Sequence, residues 1–304
     1  MAGTKEIKNR ITSVMKTQKI TNAMYLISST KMRKAKADLE RTRPYFEMQE
    51  REIKRIFQTE IDVKSRYFYP KTGRKPAETY AYLVITADKG LAGAYNHNVL
   101  KTLEGEMKKH KKVKLYVVGE FGRRYCNKHK IPIEQSFLYT AQNPTFTRAR
   151  EICATLLEEY DAGNVDEIRV IYSDMENDLV STVRMERLLP FDRKEFLTAK
   201  EKRNERDIHY EFYPSVDIVL NHVVVGYITG FIYGSLIDSF SAEQNARMNA
   251  MKSANDNAEE ILNSLSMQYN AVRQAAITQE ITEVAAGAKA QKKKKKKIKE
   301  DSNS

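Results

Sequence analysis

The segment best suited to chemistry is the glycine-rich stretch TADKGLAGAYNH, residues 86–97. It follows the apolar run AYLVI, which predicts a buried strand that leads through a tight turn into a helix. In nucleotide-binding proteins a turn of this kind presents backbone N–H groups and a helix N-terminus to phosphate. The stretch therefore raises the hypothesis of a phosphate-binding loop.

The side chains of this loop do not match a known phosphate-binding pattern. A dinucleotide fingerprint needs GxGxxG, but only Gly90 and Gly93 are present, and a P-loop needs Lys and Ser or Thr where alanine and tyrosine follow. Glu120, after the next predicted strand, stands roughly where a ribose-binding carboxylate would lie. A nucleotide enzyme stays an alternative, but we favour a structural connection whose Asp88 and Lys89 are available for contacts.

Other candidates for catalysis or metal binding are weak. The five histidines form no HExxH pair, and no GxSxG elbow is present. Cys126 and Cys153 lie in no CxxC motif and near no histidine at metal-ligand spacing, which is typical of a protein from a reducing compartment. The sequence thus predicts no catalytic residue, no bound cofactor and no metal.

The chain has a formal net charge of +12, which raises the alternative of nucleic-acid binding. Residues 289–304 carry eight lysines against Glu300 and Asp301, so half of the excess charge lies in this short tail. Such a low-complexity, self-repelling segment is predicted to be disordered. The charge therefore says little about the rest of the protein.

Glycine and proline divide the chain into parts. No glycine occurs between Thr4 and Thr59, and Pro44 is the only proline there, whereas residues 77–210 alternate strand-like and helix-like segments. The predicted division is a coiled-coil helix at 1–60, a linker at 61–76, a Rossmann-like α/β domain at 77–210, a second coiled-coil helix at 211–290 and the lysine-rich tail at 291–304.

The two terminal helices share a heptad-spaced stripe, which predicts that they pack as an antiparallel coiled coil, with an ordinary helix bundle as the alternative. At about 1.5 Å per residue, the forty residues from Thr4 span roughly 60 Å, longer than a small domain is wide. The fold class is therefore α/β, with the central domain inserted between two long helices. The stripes are Ile7, Ile11, Val14, Gln18, Thr21, Tyr25, Ser28, Met32, Ala35 and Leu39, and Met251, Asn255, Ala258, Leu262, Leu265, Tyr269, Val272 and Ala276.

The apolar run VVVGYITGFIYGSLI, residues 223–237, is too short for the ~20 residues that cross a bilayer. We interpret it as a helix face packed on the central domain. Gly226, Gly230 and Gly234 recur at a spacing of four and would allow a close approach between elements. The sequence thus predicts no membrane insertion.

Three stretches resemble the gamma subunit of F-type ATP synthases. They are MAGTKEIKNRITSVMKTQKITNAM with SSTKMRKAKADLERTRPY, then ADKGLAGAYN, and SAEQNARMNAMKSANDNAEEIL with YNAVRQAAITQEITEVAAGA. They come in the family's order and cover residues 1–290. The resemblance departs from the family at Ala92, where many relatives carry cysteine, and at the lysine tail, which extends past the usual end.

The resemblance implies a non-catalytic rotor shaft. In that family the coiled coil turns inside a hexameric ring of alpha and beta subunits, and the Rossmann-like domain lies beside the epsilon subunit and the membrane c-ring. One copy per complex would couple proton or sodium ion flow to ATP synthesis. The expected location is the cytoplasmic side of the cell membrane, as a peripheral protein with no nucleic-acid partner.

The resemblance also implies subunit-interface residues. Met24 matches the position where the shaft passes the lever region of the beta subunit, and Arg273 with Gln274 matches a pair that contacts a beta-subunit loop. Asp88 and Lys89 would face the same lever region or the partners at the foot. Arg247 matches a motif position whose partner the resemblance does not specify. The remaining expected residues lie in the ITQEITE signature: Thr278, Glu280 and Glu283.

Overall fold

The computed structural model describes residues 2–59, 63, 65–69, 77–138, 141–175, 181–196 and 211–301. The chain divides into two compact units. We call residues up to Tyr25 together with those from Met251 the coil unit, and Leu26–Ala250 the sheet unit. The two longest helices, α1 at Ala2–Thr59 and α6 at Val216–Asp301, contribute residues to both units.

Between the long helices the chain alternates strands and helices, as the sequence predicts. The sheet contains five strands in the order β3-β2-β1-β4-β5. The first four are parallel, and β5 pairs antiparallel with β4. The elements are β1 (Thr79–Ile85), α2 (Tyr95–Met107), β2 (Lys112–Val118), α3 (Glu120–Lys128), β3 (Gln135–Phe137), α4 (Phe146–Asp161), β4 (Glu167–Met175), β5 (Ser181–Leu189) and α5 (Arg193–Phe196). This topology confirms the predicted Rossmann-like domain between two long helices.

The sheet unit has a core on each face of the sheet. One face packs on α2 and α3 through residues such as Tyr82, Val99 and Leu103. The other face packs on α4, on the end of α1 and on the first turns of α6. Because helices cover both faces, strands β1 and β2 end in continuous apolar runs rather than alternating ones.

The apolar run near the start of α6 belongs to this core. A stripe at a spacing of four is exposed by no more than 2%: Leu220, Val224, Ile228, Ile232 and Leu236. By length and composition alone, the helix would also satisfy the criteria for a membrane span. Burial of the stripe accounts for its apolar character, because a core-facing helix side must be apolar.

The glycines at a spacing of four allow a close approach at two of their three positions. A Cβ on Gly230 would lie 2.1 Å from Cδ1 of Phe46, and one on Gly226 would lie 3.2 Å from Oε1 of Gln49. The Cβ of a residue at Gly234 would meet nothing within 4 Å. As residue numbers rise along α1 they fall along α6, so the two helices run antiparallel in the sheet unit.

In the coil unit, α6 buries the first part of the predicted heptad stripe. Met251, Ala258 and Leu265 are exposed by only 5–7%. The polar middle of the stripe is also paired, since Thr21 donates a hydrogen bond to the side-chain oxygen of Asn255. The sequence pattern therefore predicted the buried side of α6 correctly from Met251 to Leu265, whereas Val272 of the same stripe is 39% exposed.

Two predicted segments differ from the structure or lie partly outside it. Of the predicted linker, residue 63 and residues 65–69 are described, and Val63, Tyr67 and Phe68 are buried in the core. At the other end, α6 continues to Asp301, although disorder was predicted from residue 291. Lysine and alanine have favourable helix propensities, which explains why the helix need not end there. Residues 197–210 of the predicted α/β domain and 302–304 of the tail lie outside the described residues.

Candidate functional site

The glycine loop lies at the carboxyl end of β1, between the paths of β2 and β4. In doubly wound sheets, ligands bind in the crevice where the strand order reverses. Here α6 occupies that place. The hydroxyl oxygen of Ser239 accepts a hydrogen bond from the backbone N–H of Ser173, at the end of β4, over 3.1 Å. A helix of the same chain thus takes the position that a nucleotide would need.

Small apolar residues join the loop to α6. Ala87, Ala92 and Tyr95 pack in one cluster with Ala242 of the helix. A Cβ on Gly93 would lie 4.0 Å from a backbone oxygen of α6, and Gly93 has a φ of +54°. Glycine is favoured there because other residues rarely adopt this backbone conformation. The loop therefore follows the helix surface closely.

Arg247 holds the loop from the side of α6. Its Nη2 atom donates to the backbone oxygens of Lys89, over 3.4 Å, and Gly90, over 3.1 Å. The same atom lies 2.6 Å from Oε1 of Glu243, one turn earlier on the helix. Arg247 is exposed by only 8%. The resemblance specified no partner for Arg247, and the structure shows that its partners lie within the same unit.

Glu243 is a buried carboxylate at the contact between the glycine loop and α6. Burial raises the pKa of Glu243, and Asp88 raises it further, while Arg247 opposes both effects. A buried carboxylate is costly unless it is paired and hydrogen-bonded. Glu243 and Arg247 therefore depend on each other, because the loss of either side chain would leave the other charge buried and unpaired.

Asp88 points into the protein rather than outward. Its Oδ1 atom accepts a hydrogen bond of 2.9 Å from the backbone N–H of Glu120, the first residue of α3. Its Oδ2 atom is buried with no hydrogen-bond partner. A carboxylate at a helix N-terminus is favoured by the helix dipole. Asp88 thus takes the place of an anion at α3, and the expectation that its side chain is available for contacts is wrong.

Two glycines let α3 begin against the end of β1. A Cβ on Gly119, where φ is +95°, would lie 2.2 Å from the backbone oxygen of Thr86. A Cβ on Gly122 would lie 2.7 Å from the hydroxyl oxygen of Thr86, which accepts the N–H of Gly122 over 3.0 Å. Gly119 is the N-cap residue of α3, and Gly122 lies inside the helix.

Glu120 pairs with arginines of its own helix. Its carboxylate lies 2.7 Å from Nε of Arg123 and 2.8 Å from Nε of Arg124. Hydrogen bonds from Arg123 and then Arg124 lower the pKa of Glu120 to about 2. A carboxylate engaged by two guanidinium groups is a poor candidate for ribose recognition.

The structure brings three of the expected interface residues together: Asp88, Lys89 and Arg247. Met24 belongs to the coil unit and is partly buried. The other expected residues are exposed on α6 in the coil unit: Arg273, Gln274, Thr278, Glu280 and Glu283. Sequence reasoning missed Glu243, although its position four residues before Arg247 on a helix indicates an ion pair.

The end of α6 carries a second feature. Ile277, Ile281 and Val284 are exposed by 45%, 64% and 69%, and with Ala288 they follow one side of the helix. All residues from 277 to 292 are exposed. Across the described ranges, no group of three His, Cys, Asp or Glu side chains could hold a metal ion. The stripe is thus an exposed apolar side of α6.

Comparisons with known proteins agree over nearly the whole chain. A family model described as ATP synthase matches residues 3–291. The ATP synthase gamma chain of Caldanaerobacter subterraneus is 43% identical over 296 residues, which cover 94% of this chain and 99% of that one. The sodium ion specific ATP synthase gamma chain of Acetobacterium woodii is 35% identical over 298 residues, which cover 94% and 97%.

Solved structures share the fold. A chain in the cryo-EM structure of the Euglena gracilis mitochondrial ATP synthase matches with a TM-score of 0.66 and 15% identity, over 95% of this chain and 94% of that one. A chain of the Tetrahymena thermophila central stalk and c-ring structure matches with a TM-score of 0.57 and 23% identity, over 77% and 99%. Since the family model and the relatives extend over almost the full length, this chain belongs to the ATP synthase gamma chain family.

Proposed function

We propose that this chain is the central rotor shaft of an F-type ATP synthase. Its role is mechanical: rotation couples proton or sodium ion flow through a membrane ring to ATP synthesis or hydrolysis at sites built by beta subunits. The observation that carries the proposal is the continuity of α6, an 86-residue helix that is core in the sheet unit and exposed from residue 277.

The exposed stripe of α6 supports a bearing within a ring of alpha and beta subunits. Soluble proteins seldom expose several large aliphatic side chains side by side, and such patches mark protein contact sites. Here Ile277, Ile281 and Val284 form such a patch. Glu280 and Glu283 border the stripe, while Arg273 and Gln274 lie one to two turns earlier. These polar residues would set rotational positions, since charged contacts fix orientation more than affinity.

The sheet unit would form the foot, beside an epsilon subunit and the c-ring. This role is supported by two features of the sheet unit: α6 fills the crevice where a nucleotide would bind, and Arg247 holds the glycine loop in place. Met24 would face the lever region of beta subunits, and Lys89 would face the same region or the partners at the foot. The complex would hold one copy at the cytoplasmic side of the cell membrane, with no catalysis by the chain itself.

Reconstitution with alpha and beta subunits tests the proposal. The chain alone should hydrolyse no ATP, but it should restore cooperative ATPase activity to the mixture. A chain that lacks residues 277–288 should fail to do so, while a chain that ends at residue 291 serves as the matched control. A mixture that stays uncoupled with the full chain, or coupling that survives the internal deletion, would contradict the rotor function.

A further inference from the structure

The last turns of α6 carry the densest positive charge of the chain. Residues 289–299, which we call the lysine end, contain eight lysines and no acidic residue. The helix continues through this segment to Asp301. The family model matches residues 3–291, so seven of the eight lysines lie beyond the matched part. Membership of the family therefore does not explain what the lysine end does.

The charge pattern of the lysine end is unfavourable for a helix without a partner. Lys292 lies three residues before Lys295 and four before Lys296, and these spacings recur along the run. Like charges at such spacings destabilise a helix. The helix dipole offsets part of this, because cations are favoured near a helix C-terminus, but Glu300 and Asp301 are the only acidic residues that follow. An external anionic surface would therefore stabilise the segment.

The composition of the lysine end distinguishes between classes of anionic partner. No arginine follows Arg273, and no aromatic residue follows Tyr269. Arginine binds phosphate through two parallel hydrogen bonds and aromatic rings stack on bases, so sites for nucleic acid commonly use both. Ile298 is the only large apolar residue from 289 to 301, so the segment lacks the apolar side of a helix that lies in a membrane surface. These features favour an acidic protein surface.

The position of the lysine end on α6 indicates which protein surface it meets. It begins directly after Ala288, the last residue of the exposed apolar side that includes Ile281 and Val284. At about 1.5 Å per residue, the middle of the lysine run lies roughly 15 Å along the helix from Val284. Under the proposed function, the alpha and beta subunits cover that apolar side. The lysines then lie at the edge of the covering surface, because unpaired ammonium groups are too costly to bury within it.

We propose that the lysine end is an electrostatic steering segment, which is attracted by acidic side chains at the edge of the alpha and beta surface that receives α6 and speeds the entry of the helix. The proposal rests on the rotor function and deepens it. Six consecutive helical residues pass around the axis more than once, so the run 292–297 has lysine in every direction around α6. Its attraction therefore favours no rotational position. Such charge acts on the association rate more than on affinity.

The test measures how fast the full chain restores cooperative ATPase activity after it is mixed with alpha and beta subunits. The glutamine variant carries Lys292→Gln and the same change at each position to Lys297→Gln, which removes the charge but keeps a good helix former. Its association should be about tenfold slower than that of the parent chain at about 10 mM ionic strength, where the Debye length is roughly 30 Å. The difference should shrink at about 0.15 M, and the final activity should equal that of the parent chain.

Two control variants separate the position of the charge from other effects. Arginine at the same six positions keeps the charge and should associate as fast as the parent chain. A second control removes six exposed lysines of the sheet unit instead, and its rate should stay within about twofold of the parent rate, because steering depends on where the charge is concentrated. These lysines are Lys101, Lys108, Lys111, Lys112, Lys128 and Lys130.

The outcomes distinguish this proposal from the rotor function. If the glutamine variant associates as fast as the parent chain and both reach full cooperative activity, the steering segment is wrong and the rotor function stands. If the parent chain itself restores no activity, the rotor function is wrong and the proposal falls with it. Faster association of the glutamine variant would show that the receiving surface is basic and would overturn the proposal. If inorganic polyphosphate binds the parent chain but not the glutamine variant, while both associate equally fast, the partner is a free polyanion and the proposal is also wrong.

Discussion

The helix α6 is used in opposite ways in the two units. In the sheet unit nearly every residue from 235 to 247 is buried, including Ser239, Glu243 and Arg247. In the coil unit the same helix exposes all residues from 277 to 292. The first region is completed by contacts within the chain, whereas the second has an apolar side that none of the described residues covers. One stretch of α6 therefore contributes to the core of its own chain, and a separate stretch of the same helix stays exposed.

The largest effect on stability is expected at the buried ion pair of Arg247 and Glu243 in the sheet unit. Arg247→Ala would leave Glu243 buried and unpaired, which should lower the free energy of unfolding by about 3–5 kcal/mol. Arg273→Ala is the matched control, since it removes an exposed arginine of the same helix and should change stability by less than about 0.5 kcal/mol. Urea unfolding followed by circular dichroism measures both. Equal effects would show that the two regions do not differ.

A second large effect is expected where α3 begins. Gly119→Ala would place a Cβ 2.2 Å from the oxygen of Thr86 in a backbone conformation that favours glycine. The clash and the strain together should cost about 3 kcal/mol. Gly105→Ala has the opposite expected sign, a gain of about 0.5–1 kcal/mol, because it lies in α2 and its Cβ would meet nothing within 4 Å. Thermal melts of the two variants should move in opposite directions.

The sequence predicted the helices and strands better than it predicted the contacts between the glycine loop, α3 and α6. The heptad stripe with Met251, Ala258 and Leu265, and the strand before the glycine loop, follow from local periodicity. The bond from Arg247 to Gly90 joins residues 157 positions apart, and no local pattern encodes such a pairing. The inward turn of Asp88 likewise depends on where α3 begins in three dimensions. Local rules therefore gave the elements, and tertiary contacts decided which side chains are available.

A smaller effect, with a pH dependence, is expected at Asp238 on α6. Burial and the nearby Asp174 raise the pKa of Asp238 from 3.8 to about 6, and Glu186 adds to this, while Arg43 and Arg184 oppose it. The ionised form is therefore penalised in the folded state above pH 6, and the penalty disappears as the pH falls from 6 towards 3.8. Asp238→Asn should stabilise the protein by about 1–2 kcal/mol at pH 8 and by little at pH 4.

Asp256→Asn is the control for this pH dependence, because Asp256 is an exposed carboxylate of the same helix. Urea unfolding at pH 4, 6 and 8 should give parallel curves for Asp256→Asn and the parent chain. If Asp238→Asn also ran parallel to the parent chain, its carboxylate would be solvated in the folded protein. Burial would then not extend to the carboxylate of Asp238, although its neighbours on α6 are buried.

The smallest effect on stability is expected at Ile281, in the exposed stretch of α6. This residue best separates a role in stability from a role in subunit contacts. Its side chain is 64% exposed, so Ile281→Asp should change the free energy of unfolding by less than about 0.5 kcal/mol. The same change would place a carboxylate in the apolar stripe and should abolish cooperative ATPase activity when the chain is mixed with alpha and beta subunits, because burying an unpaired charge is prohibitive. Gln279→Asp, off the stripe, should retain that activity. Loss of stability in Ile281→Asp would mean that the stripe is covered within the chain, whereas loss of activity alone would mean that partners cover it.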